Sequence, residues 1–147
     1  MKKPQLKFFV SLIVTLVVIA LLVSGSSLLT LSLNKSGTLP LGTFISWAGI
    51  ICLPLSVYWG VSEFRKPTKK ANRVLSLALK LVLILAFLWV PISFGLAGNM
   101  NFNFGESSSF QGGQLAMRIF WIFSYGIGIG SLAVLGIYFV LRLLKIS

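Results

Sequence analysis

Four long apolar runs, separated by short polar or basic segments, dominate this chain of 147 residues. They lie at approximately 8–28, 43–62, 74–97 and 115–141. Each reaches or approaches the ~20 residues a helix needs to cross ~30 Å of hydrocarbon. The fold class they predict is an all-α integral membrane protein: a four-helix transmembrane bundle in a single membrane domain, 1–147. Composition agrees. Only 10% of the residues are charged and 56% are hydrophobic, whereas soluble domains carry about 25% charged residues. A water-soluble fold of this length could not cover its surface with so few charges.

Charge then orients the runs. Thirteen Lys and Arg stand against two acidic residues, for a net charge of +11. Such a balance can mark a nucleic-acid binder, but here the basic residues cluster at the ends of apolar runs rather than among exposed aromatics. Lys2, Lys3 and Lys7 precede the first run, while Arg65, Lys66, Lys69, Lys70 and Arg73 separate the second from the third. Arg142 and Lys145 follow the fourth, and the opposite side holds only Lys35 and Arg118. The positive-inside rule places both termini and the basic 63–73 loop in the cytoplasm of a bacterial-type inner membrane or its equivalent. The polar 98–114 loop then lies outside. Arg65, Lys66, Lys69, Lys70 and Arg73 become candidate contacts for lipid headgroups or a partner, and nucleic acid is not expected. The N-terminal pattern of lysines, apolar run and Ser24-Gly25-Ser26-Ser27 resembles a secretory signal. Leucines continue beyond the small residues, so the segment is read as the first span.

The chain has no histidine and one cysteine, Cys52. A zinc site, a His-ligated haem and a His-based triad are therefore excluded. The acids Glu63 and Glu106 fall at an edge and in the outer loop, as solvated charges rather than a proton relay. Lys80 can snorkel to the headgroups on its long stem. No enzyme is expected, and no cofactor is specified.

Finer patterns bear on packing. Trp47, Tyr58 and Trp59 stand near the ends of the second run, where aromatic rings favour the interface. Pro54 should kink that run or free a carbonyl, and Pro91 lies near the far end of the third. In the fourth run, Gly126, Gly130 and Ala133 share one helical stripe; Ser124, Gly128 and Ser131 share another, almost opposite. Small residues let backbones approach closely in lipid, so these six are candidate helix-packing or interface residues. Leu29 to Asn34 and Asn99 to Phe104 alternate apolar and polar, the strand period. Either 29–34 pairs with 99–104 as a small extracytoplasmic β pair, or the first helix runs tilted to Leu33 while Phe102 and Phe104 dip into the interface. Asn34-Lys35-Ser36 matches an N-glycosylation acceptor but abuts the membrane.

The segments 39–42 (Leu-Pro-Leu-Gly) and 88–91 (Leu-Trp-Val-Pro) resemble short stretches of holin-like proteins, four residues each and without an assignment. The function expected is a non-catalytic accessory, assembly or scaffold subunit of a larger membrane complex, in contact with the lipid bilayer and other membrane subunits. The alternative is an oligomeric holin-like pore or small transporter. For a conduction path the spans offer only Ser11, Thr15, Ser46, Ser56, Ser93 and Ser124.

Overall fold

A computed structural model describes residues 3–102, 104 and 110–145. The described chain is all-helical, with no strand. Helix α1 spans Lys3–Val23, a short 3-10 turn Ser27–Leu29, α2 Leu41–Gly60, α3 Ser62–Arg65, α4 Lys70–Phe87, α5 Trp89–Ala97 and α6 Gly113–Leu143. Helices α1, α2 and α6 are each long and apolar enough to cross a membrane. Helices α4 and α5 pass the same test only as a pair, bent by 50°. Among the described residues the count is thus three crossing-length helices, or four if the bent pair is one span.

Local chemistry explains where the helices stop. The first helix ends at Val23 rather than running on to 28, because Gly25 takes a left-handed φ of +59° that a side chain would resist. The Ser26 N–H then donates to the Leu21 carbonyl, and the Ser26 hydroxyl accepts from Leu28 N–H to start the 3-10 turn. The third run breaks at Leu88, three residues before Pro91. Proline has no N–H to offer the carbonyl four residues back, and its ring crowds that position, so the disturbance falls one turn upstream. The Trp47 indole N–H braces this break by donating to the Ala86 carbonyl at 3.1 Å. Pro54, in contrast, is accommodated inside one uninterrupted helix.

Among the described residues neither alternative for 29–34 holds: no β pair with 99–104 forms, and α1 does not run on to Leu33. Residues 31–33 instead fold back on their own loop, with Leu33 N–H donating to Leu39 O and Leu41 N–H to Leu31 O, both at 2.8 Å. The single bridge there joins Ser32 to Pro40. Asn34 is the reason: its Oδ1 accepts from Thr38 and Leu39 N–H, and its Nδ2 donates to Ser36 and Thr38 hydroxyls. The polar half of the alternation thus builds a turn, as Asn side chains often do. On the other segment Asn103 lies outside the described residues, while Phe102 is buried rather than paired.

Two clusters hold the helices together. One end, rich in Lys and Arg, packs Val57, Phe64, Leu75, Leu79, Val134 and Tyr138. The other, aromatic end packs Ala86, Trp89, Ala97, Phe102, Phe120 and Ile127. The backbone of α1 comes close to α2 and the 3-10 turn, whereas α2, α4 and α6 all approach one another.

Candidate functional site

Helix α6 is the element on which the sequence concentrates its candidates, and the structure sorts them by direction. Ser124, Gly128 and Ser131 face inward. The Ser124 hydroxyl donates to its own helix at Phe120 O (2.7 Å) and accepts from the Trp89 indole (2.8 Å). Ser131 is fully buried and donates to Ile127 O. A side chain at Gly128 would meet a Leu53 methyl at an ordinary 3.8 Å. Gly130 turns toward α4, where its Cβ would sit 3.5 Å from Val82. Gly126 and Ala133 face outward, and the space over Gly126 is empty, as it is over Gly136 one turn beyond Ala133. The stripe Gly126/Gly130/Ala133 is therefore not one surface.

The closest helix approach lies elsewhere. Gly42, Ser46, Gly49, Ser56 and Gly60 recur along α2 at the three-and-a-half-residue spacing of a packing seam. Opposite them on α1 stand Phe8, Ser11, Thr15, Val18 and Leu22, at the same spacing. A Cβ on Gly49 would come within 2.5 Å of Val18 Cγ1, and one on Gly60 within 2.9 Å of the Phe8 ring. Both are closer than side-chain carbons tolerate, so α1 and α2 meet where only glycine fits. The signal was present in the sequence as a period; glycine density in α6 is more conspicuous and points to looser contacts.

The basic end gathers α1, the 63–73 segment and the end of α6. Lys7 stands over one side of the Trp59 ring, 4.4 Å from its centroid, and Arg65 lies 5.7 Å from the same centroid. Arg65 is half-buried, and its Nη1 has no partner. Lys66, Lys69, Lys70 and Arg73 are exposed, with Lys69 Nζ reaching the Lys145 carbonyl. Under them Ser76 donates to Phe64 O at 2.6 Å, and Phe64 meets Tyr138 edge-on. Lys80, the one other cation of α4, sits exposed ten residues into that helix, about 15 Å along its axis.

Glu63 is the acidic residue of this end; Glu106 lies outside the described residues. The Ser62 hydroxyl, donating at 2.8 Å, and Glu63's own backbone hold its carboxyl below the usual glutamate range. Partial burial opposes these two hydrogen bonds without cancelling them, and Tyr138 and Arg142 add lesser lowering contributions. A carboxyl with a lowered native pKa contributes stability that is complete above its unfolded pKa and is lost as pH falls through the native one. Wild-type protein in detergent is therefore expected to lose part of its thermal stability on acidification through that range. The Glu63→Gln variant should lose less over the same interval, as melting curves across pH would record. Identical pH profiles would remove Glu63 from the account.

Among the described residues, no group of His, Cys, Asp or Glu is placed to hold a metal. No family model matches this chain, and no curated protein or solved structure matches it. The arrangement defines a helical protein with a braced, bent third run, a glycine-seamed α1–α2 pair and an outward small-residue face on α6.

Proposed function

We propose that the chain is a multi-pass membrane protein, a bundle of four spans in which α4 and α5 together make the third. Both termini and the basic 63–73 segment lie on the cytoplasmic side, and the protein serves as a non-catalytic accessory or assembly subunit of a larger membrane complex. The side-by-side gathering of Lys3, Lys7, Arg65 to Arg73, Arg142 and Lys145 at one end supports the orientation, since cytoplasmic loops carry the excess of Lys and Arg. That band suits anionic headgroups or an acidic face of the partner.

The observation that carries the subunit reading is the outward face of α6. Gly126 leaves a shallow depression of about 530 Å³, rimmed by Arg118, Trp121, Ile122, Tyr125 and Ile129. Trp121 and Tyr125 stack as its wall, with ring centroids 5.4 Å apart. A neighbouring helix could approach the backbone there as small residues permit in lipid. The pore alternative draws little support from the spans: Ser11, Thr15, Ser56 and Ser124 spend their hydroxyls on carbonyls of their own helices.

Gly126→Leu tests this reading. Nothing stands within 4 Å of the new Cβ, so the protein itself is expected to keep its abundance, with a stability change within about 0.5 kcal/mol as at other open surface positions. Gentle detergent extraction, native electrophoresis and mass spectrometry should then find wild type with other polypeptides and the variant released from them. Wild type migrating alone or as a ring of identical copies would reject the subunit reading, as would a variant still fully in the complex.

A further inference from the structure

Helices α1 and α6 both flank α2, and their backbones do not approach each other closely. Between them runs a cleft with two depressions. The one nearer the aromatic end has a volume of about 280 Å³, and its wall includes Leu22 of α1, Ile50 of α2, and Trp121 and Tyr125 of α6. The second, about 360 Å³, continues toward the basic end past Leu12, Leu53 and Leu132. Nearly all of this wall is hydrocarbon or aromatic ring.

One polar group breaks the pattern. Ser46 is only 6% exposed, lines the first depression, and its hydroxyl has no hydrogen-bond partner. Of the other hydroxyl-bearing residues of that wall, Tyr125 is exposed, and Ser124 already donates to Phe120 O and accepts from Trp89. Ser46 is therefore the buried hydroxyl of this wall that has no partner. A buried hydroxyl without a partner is costly, and such groups call for an explanation. Water is a poor one, because a buried water needs two to four polar partners and the surface of this wall is almost wholly apolar. The occupant must bring one acceptor on a long apolar body. Ser46 also lies five residues into α2, about 7–8 Å from its start at 1.5 Å per residue. In the membrane reading that depth is close to the boundary between headgroups and the ~30 Å hydrocarbon core.

We propose that this cleft holds the fatty-acyl chain of a phospholipid from the outer leaflet, with its ester carbonyl accepting a hydrogen bond from Ser46. The chain lies over Ile50, between Leu22 and the stacked Trp121 and Tyr125, and points toward Leu53. This inference rests on the membrane location; Trp121 and Tyr125 wall both this cleft and the outward depression of α6, whereas Ser46 and Ile50 belong to the cleft.

The test uses the full chain reconstituted in phosphatidylcholine vesicles that contain a fraction of phosphatidylcholine bearing a diazirine in one acyl chain. After irradiation, adducts are mapped by peptide mass spectrometry. The expected result is preferential labelling of Ile50, Trp121 and Tyr125 over the outward residues Ile13, Leu16 and Leu77. Ser46→Ala, which removes only the donor, should lower labelling of the cleft roughly two- to tenfold, the range of one lost hydrogen bond. Ser46→Leu, which fills the space, should abolish it while the outward residues label as before. Even labelling of every exposed face, or cleft labelling unchanged in both variants, would overturn the bound lipid and leave the membrane location standing. So would cross-linking of a second polypeptide into the cleft. Absence of adducts from all faces would overturn the membrane location itself, and this inference with it.

Discussion

Gly49→Ala is expected to destabilise the protein although it adds a single methyl group to a helix. In an open helical position the same change stabilises, by roughly 0.5–1 kcal/mol, because alanine restricts the unfolded chain and favours helix. At Gly49 the methyl would enter the Val18 side chain, with Cγ1 at 2.5 Å and Cβ at 2.9 Å. Val18 is β-branched and stiff at χ1, so the clash cannot be relieved by swinging a flexible end aside. The helices must part. Overpacking of this kind costs about 1–3 kcal/mol, and Gly49→Leu should exceed the alanine change. The consequence is large because α2 is the long helix whose backbone lies close against α1. Gly136→Ala provides the matched control, since nothing stands within 4 Å of that position on α6. Denaturation of the purified variants in detergent should move in opposite directions for the two alanines. Equal shifts would mean that the α1–α2 seam is not the tight contact described.

The second large effect is expected at Trp89. This residue opens α5 directly after the break, is 2% exposed, and meets Phe102 and Phe120 at centroid distances of 5.3 and 5.8 Å. Its indole N–H ties α5 to α6 through Ser124. Trp89→Ala removes the ring and the tie to α6 together, and core aromatic truncations cost about 3–5 kcal/mol. Trp89→Phe keeps a ring in the cluster and loses only the donor, worth about 1 kcal/mol. Ser124 is not stranded by that change, because its hydroxyl still donates to Phe120 O. Melting curves should therefore rank wild type, Phe and Ala in that order, with the larger gap between Phe and Ala. A phenylalanine as damaging as alanine would show that the hydrogen bond, rather than the aromatic packing, holds the bend.

The parts of this fold legible in the sequence are those that depend on a run's average character. Apolar runs long enough for helices, and basic residues at their ends, depend on no partner. The parts that escaped depend on what stands opposite. Gly126 and Gly49 are both glycines in apolar helices, yet one faces open space and the other a valine side chain; nothing local separates them. Only the repeat of small residues from Gly42 to Gly60 distinguishes α2, and it is interrupted by Leu53 and crowded by aromatics. The period-two alternation at 29–34 misled for a related reason. Its polar members answer to Asn34, whose side chain gathers Thr38 and Leu39 N–H into a turn. Pro91 gave fair warning of a break, but its effect falls a turn earlier, at Leu88, where the sequence is plain leucine. The orphaned hydroxyl of Ser46 could not be anticipated, because five other Ser and Thr residues, on α1, α2 and α6, found acceptors on their own backbones.

The central claim is that this chain crosses a membrane four times with its basic end in the cytoplasm, and labelling of single cysteines in intact cells tests it most directly. In a Cys52→Ala background, Ser36→Cys stands in the exposed turn beyond α1, and Thr68→Cys stands in the exposed basic segment. The account predicts that a membrane-impermeant thiol reagent modifies Ser36→Cys in intact cells and reaches Thr68→Cys only after the membrane is opened. Modification of Thr68→Cys in intact cells, or protection of Ser36→Cys, would contradict it.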